Sequence, residues 1–135
     1  MKSLQATTRA RNGYYRVKKI NAIKLGIEIG RISELQKVGF KRHEIETIVA
    51  SRRTLDRRTQ KKEALSPDEA DRVMRLERIH AHAMRVFGDL DKVSRWLRKP
   101  CRALDDAVPM DLLVSETGAH IVEQQLHAID YGMFV

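Results

Sequence analysis

Apolar residues recur at helical spacing along most of the chain, and the breaks between runs fall at Gly, Pro, Ser or Asp. Ile20, Ile23, Ile27, Ile32, Leu35 and Val38 follow mixed three-, four- and five-residue steps interrupted by Gly26 and Gly30. They predict two short helices, the second from about Glu28 to Lys37, stopped by Gly39. Lys41 to Val49 reads as another helix, with Ile45, Ile48 and Val49 on its buried face and Glu44, Glu46 and Thr47 outward. A break at Ala50 and Ser51 leads into a basic helix whose one clear apolar anchor is Leu55.

Beyond that helix the boundaries are written in capping chemistry. Ser66 is an N-cap, Pro67 suits the first helical position, and Glu69 completes a capping box. Val73, Leu76, Ile79, Ala83, Val86 and Phe87 then carry a long helix from Pro67 to Phe87, ended by Gly88. Asp89 caps a helix whose Leu90, Val93, Trp96 and Leu97 point inward and which Pro100 ends. Cys101 to Val108 is a loop carrying Asp105 and Asp106, and Pro109 opens a short helix anchored by Leu112 and Leu113. Ser115 caps the last helix, Glu116 to Asp130, with Ala119, Val122, Leu126 and Ile129 as its stripe. Gly132 stands where a left-handed residue is expected, and Met133, Phe134 and Val135 follow as a hydrophobic tail.

The expected fold is all-α, a helix-turn-helix region joined without a flexible linker to a C-terminal helical domain. Composition agrees: 42% hydrophobic residues suffice for a core, while 5% aromatics and three prolines favour helix over strand. The expected divisions are a basic arm over residues 1–19, a helix-turn-helix region over 20–64 and a C-terminal domain over 65–135. The arm can touch DNA phosphates or simply fray.

Charge sharpens this picture. Residues 1–62 hold 17 Lys or Arg against 5 Asp or Glu, whereas residues 63–135 hold 9 against 13. The net of +8 is therefore a strongly basic half beside an acidic one, pointing to a polyanion partner for the first only. In the basic helix, Arg52 and Arg53 lie near the start, where base contacts are usual, and Arg57, Arg58, Lys61 and Lys62 suit the DNA backbone. Thr54 is either a phosphate contact or an inner hydroxyl. A solvated basic helix held by Leu55 is the competing reading. One such helix reads few bases, so DNA recognition implies a homodimer on two half-sites.

Catalytic patterns are missing: there is no GxSxG, HExxH, P-loop or GxGxxG. His120, Glu123 and His127 share a helical face, as metal ligands would, but a solvated face explains them as well; no metal, cofactor or enzymatic activity is expected. Cys101 is the single cysteine, MKSLQATTRAR lacks the apolar core of a signal peptide, and no window approaches the roughly 18 consecutive apolar residues of a membrane span. These features predict a cytoplasmic protein with no membrane partner.

From Ser51 to Val135 the chain resembles the Xre/MbcA/ParS-type antitoxins, which join a helix-turn-helix region to a C-terminal toxin-binding domain. RRTLDRR and LSPDEADRVMRL are similar to the seam between those regions, and VFGD, SRWLRKP, PMDLLVSETG and IDYGMF to the toxin-binding domain. The resemblance implies an antitoxin whose partner is a RES-domain, NAD-degrading toxin. Its last helix and tail would cover the toxin's active-site entrance, through Gln125, Leu126, Ile129, Asp130, Tyr131, Gly132, Met133, Phe134 and Val135. Trp96, Pro109, Leu112, Leu113 and Gly118 would belong to the framework. On physical grounds alone the tail could dock on its own domain, a second copy or a partner. A stand-alone transcription regulator with a dimerising C-terminal half is the alternative function.

Overall fold

The structure, a computed structural model, describes residues 29–132. The arm at 1–19, the first short helix through Ile20, Ile23 and Ile27, and Met133, Phe134 and Val135 lie outside the described residues. Seven α-helices run in order: α1 (Gly30–Lys37), α2 (Arg42–Ile48), α3 (Arg52–Lys61), α4 (Pro67–Phe87), α5 (Leu90–Arg98), α6 (Pro109–Leu112) and α7 (Glu116–Asp130). A 3-10 turn at Arg102–Leu104 and one bridge between Cys101 and Ala107 shape the loop before α6. The fold is all-α, and among the described residues no helix is long and apolar enough to cross a membrane.

The long helix α4 is the spine. Ser66 Oγ accepts from the Glu69 N–H at 3.2 Å while the Glu69 carboxylate accepts from the Ser66 N–H at 3.0 Å, so both orphan donors of the first turn are satisfied. Ala70, Val73, Leu76, Ile79 and Ala83 are fully buried along one face, and Ala119, Val122 and Leu126 of α7 pack on it. Each large apolar side chain removed from water there contributes about 1.5–3 kcal/mol. The close approach of α6 to α7 requires Gly118: a Cβ built there would lie 1.9 Å from the Leu112 carbonyl oxygen.

Residues from both parts of the chain join one core. Ile32, Leu35, Phe40, Ile45, Ile48, Val49 and Leu55 belong to the same buried cluster as the α4, α5 and α7 stripes. Polar cross-links reinforce it: Arg31 pairs with Glu77, Arg72 donates to the Val49 carbonyl at 3.0 Å, and Arg98 pairs with Glu44.

Glu44 departs from the sequence expectation. It is buried rather than outward, because Arg98 of α5 reaches across to donate from Nε at 2.9 Å and Nη2 at 2.7 Å. Arg98 also donates to the Gly39 carbonyl at 2.7 Å and to the Ser94 hydroxyl. Burial raises the Glu44 pKa, but the Arg98 hydrogen bond and the Lys41 N–H outweigh it and hold the carboxylate below its usual range. Leu90 departs too: expected inward, it is 48% exposed at the first turn of α5, while Val93 and Leu97 are buried and Trp96 lies half-buried against Phe87.

Candidate functional site

Two surfaces gather the residues expected to bind partners. The first is the outward face of α3 and the adjoining edge of α2. Ser51 caps α3, its hydroxyl accepting from the Thr54 N–H at 3.2 Å and donating to Thr54 Oγ1 at 3.0 Å. Thr54 is thus half-buried and engaged with its own cap. Leu55, fully buried, is the one buried residue of α3, while Arg52, Arg53, Asp56, Arg57 and Gln60 are exposed. Arg52, with 80% of its side chain exposed, stands beside Arg53 and Arg57 on this face, and Lys61 and Lys62 are exposed at its end.

Arg58, grouped with the backbone-contacting cations on sequence grounds, is held elsewhere. Only 15% of its side chain is exposed. Its Nε lies 2.6 Å from Glu69 Oε1, Nη2 donates to Glu69 Oε2 at 3.1 Å, and Nη1 reaches Glu63 and the Ala64 carbonyl. This guanidinium brackets the five-residue turn from α3 to α4. Burial raises the pKa of Glu69, but the Arg58 and Ser66 hydrogen bonds prevail and lower it. Sequence reasoning had no signal for this pair beyond the separate cap and basic run. It also missed Arg42 on α2, whose Nη2 donates to Asp56 at 3.1 Å and which therefore joins the α3 face.

The second surface is the C-terminal end of α7. Ser115 caps this helix, accepting from the Gly118 N–H at 2.9 Å. At its far end the N–H groups of Tyr131 and Gly132 donate to the His127 and Ile129 carbonyls, each at 3.0 Å, and Gly132 takes the left-handed conformation with φ 73°. Gln125 and Ile129 are half-buried, Asp130 and Gly132 are exposed, and Tyr131 is 75% exposed. Leu126 is different. With 0% exposure it lies in the core against α4, since it continues the stripe of Ala119 and Val122, and it cannot touch a partner without unfolding the helix contact.

A column of rings supports that end. His82 of α4 is buried and meets His127 edge-on at 4.5 Å, and His127 stacks on Tyr131 at 6.5 Å. Burial, with His127 and Arg85 nearby, pushes the His82 pKa down, only partly opposed by Glu123 and Asp130. The face imagined for metal is used otherwise, as Glu123 accepts from Arg78 at 2.9 Å and His127 stacks. Among the described residues no group of three His, Cys, Asp or Glu could hold a metal ion.

The family match falls on the part of the chain that carries the second surface. Residues 82–132 match the family described as antitoxin Xre/MbcA/ParS C-terminal toxin-binding domain. Antitoxin Xre of Pseudomonas putida is 39% identical over 80 residues, 59% of this chain and 50% of the relative. Antitoxin Xre of Photorhabdus laumondii is 34% identical over 82 residues, 60% of this chain and 55% of the relative. The chain thus spans about half the length of the curated relatives it matches. A chain of the crystal structure of the M. tuberculosis MbcT-MbcA toxin-antitoxin complex superposes with a TM-score of 0.61 at 24% identity, covering 79% of this chain and 96% of that one, a likeness of fold. Residues 82–132 therefore match the Xre/MbcA/ParS C-terminal toxin-binding domain, the family whose motifs that stretch resembles.

Proposed function

We propose that this chain is the antitoxin of a type II toxin-antitoxin pair, a cytoplasmic non-enzyme with two binding surfaces. The end of α7 and the tail after it occlude the active site of a protein toxin, of the RES-domain, NAD-degrading class that the sequence resemblance implies. The α2–α3 face binds operator DNA as a homodimer within the toxin-antitoxin complex and represses the operon. One observation carries the reading: the matched toxin-binding domain ends in Asp130, Tyr131 and Gly132, all exposed, at the positions the resemblance assigns to toxin contact. Arg52, Arg53, Arg57, Lys61 and Lys62 remain the DNA contacts; Arg58 and Leu126 are withdrawn from both sets because the fold occupies them.

The test is removal of residues 131–135 from the full chain, followed by melting, DNA binding and inhibition of the toxin-like product encoded next to this gene. The expected result is lost neutralisation with melting temperature and DNA binding nearly unchanged, since the deletion begins beyond the last core residue of α7, Leu126. A truncated chain that still neutralises would refute occlusion by the tail. One that no longer folds would show that the tail completes the core instead.

A further inference from the structure

Asp56 is the single acid within α3, and it stands in the middle of the cationic face. Its Oδ1 accepts from Arg42 Nη2 at 3.1 Å, and its Oδ2 lies 3.8 Å from Arg52 Nε. Arg52 and Asp56 together line two open clefts, one shared with Arg53 and Arg57, the other with Arg42. About half of the Asp56 side chain still faces solvent, so it is not spent within the fold. Arg42 is gripped on its other side by Glu46 at 2.9 Å.

Stability does not account for an acid in this place, because exposed ion pairs contribute little. Phosphate neutralisation does not either. A carboxylate on a duplex-facing surface repels phosphates and reduces the affinity for DNA of any sequence. That loss is recovered where the duplex offers a donor, and in the major groove the cytosine N4 amino group is one a carboxylate can accept from. Across their 3.8 Å separation the Asp56 carboxylate also attracts the Arg52 guanidinium and so biases its direction, and bidentate contact with guanine O6 and N7 demands a set direction.

We propose that Asp56 sets sequence discrimination on this face, disfavouring docking by phosphate contacts alone and positioning Arg52 toward base edges. The proposal rests on the DNA-binding reading above. It is tested on the full-length chain and its Asp56→Ala and Asp56→Asn variants, by titrating a duplex from the region upstream of its own gene and a shuffled duplex of equal length across a salt series. Asp56→Ala should bind the shuffled duplex about tenfold tighter while gaining nothing on the upstream duplex, so the affinity ratio falls at least tenfold. Asp56→Asn, which keeps the shape and loses the charge, should fall between. Equal changes on both duplexes, or none, would overturn the role of Asp56 and leave DNA binding standing. A wild-type chain that binds neither duplex would overturn the DNA reading, and the role of Asp56 with it; one that binds both alike would overturn the role of Asp56 alone. Unchanged melting temperatures are expected for both variants, since the Asp56 side chain is about half exposed and its ion pairs are with the surface cations Arg42 and Arg52; a substantial loss would assign it to the fold instead.

Discussion

The α3 face and the end of α7 expose the residues proposed to bind partners by opposite means. α3 is attached through one apolar side chain, Leu55, and a bracket of charge in which Arg58 spans to Glu63 and Glu69. α7 is attached through an apolar stripe along α4, with Arg75 and Arg78 clamping Glu116 as a secondary tie. A ten-residue helix that leaves Arg52, Arg53, Arg57 and Lys61 exposed has no room for a broad apolar stripe, so its orientation passes to ion pairs. A helix that offers only its end can devote the remainder to packing.

That contrast sets the expected ranking of perturbations. Gly118→Ala should be the most damaging, because the added methyl meets backbone and neither α6 nor α7 can yield without opening the core. A loss of at least about 3 kcal/mol by chemical denaturation, with both binding activities gone, is expected. A variant that melts like the parent would show that α6 and α7 approach less closely than described. Arg58→Ala comes next. It leaves Glu69 buried without its main partner, and allowing for partial solvent access should cost about 2 kcal/mol. DNA binding should weaken with it, whereas Arg52→Ala should weaken DNA binding without lowering the melting temperature. Equal melting temperatures for these two variants would erase the distinction between bracket and contact.

Acid should loosen the molecule in two stages. His80, whose buried Nε2 finds no partner among the described residues, and His82 are held below their ordinary pKa chiefly by burial. Below about pH 6.5 the unfolded chain takes up protons that the folded chain refuses, so their contribution, present above that pH, declines toward their depressed folded values. Burial, the largest single influence on Glu44, Glu69 and Glu116, raises their pKa values, but their arginine partners and hydrogen bonds together outweigh it and hold them below the usual carboxylate range. Their contribution persists above about pH 4.5 and disappears as pH falls through the folded values. Melting temperature followed from pH 8 to pH 3 should fall in both windows, and His82→Leu should diminish the first alone. A flat profile down to pH 5 would place both histidines in water. Ser66→Ala should have the smallest effect, about 0.5–2 kcal/mol, detectable as a lower denaturation midpoint. No change would mean that Glu69 holds the α4 terminus through Arg58 without the cap.

What sequence made legible was local. Ser66, Asp89 and Ser115 all cap helices as expected, and the stripe from Val73 to Ala83 is buried as its spacing requires; Ser51, expected only as a break, is a cap as well. The misplacements share one cause. Glu44 looks like a solvent-facing helix residue until Arg98, 54 positions later, is brought beside it. Arg58 looks like a free cation until Glu69 arrives from the next helix. Leu126 was assigned to a partner by resemblance although its own stripe places it in the core, and periodicity was there the better guide. Leu90 met the opposite difficulty, since the first turn of a short helix overhangs the core it is spaced to face.

The reach of Arg98 back to Glu44 and the Gly39 carbonyl also orders events in time. The chain is made from its N-terminus at roughly 5–20 residues per second, so α2 exists for about 3 to 10 s before the arginine that locks it has been added. During that interval Glu44 has water as its partner. The ion pair that fastens α2 therefore waits on synthesis of α5, within the stretch that matches the toxin-binding domain, and a nascent chain stalled before that point would lack it.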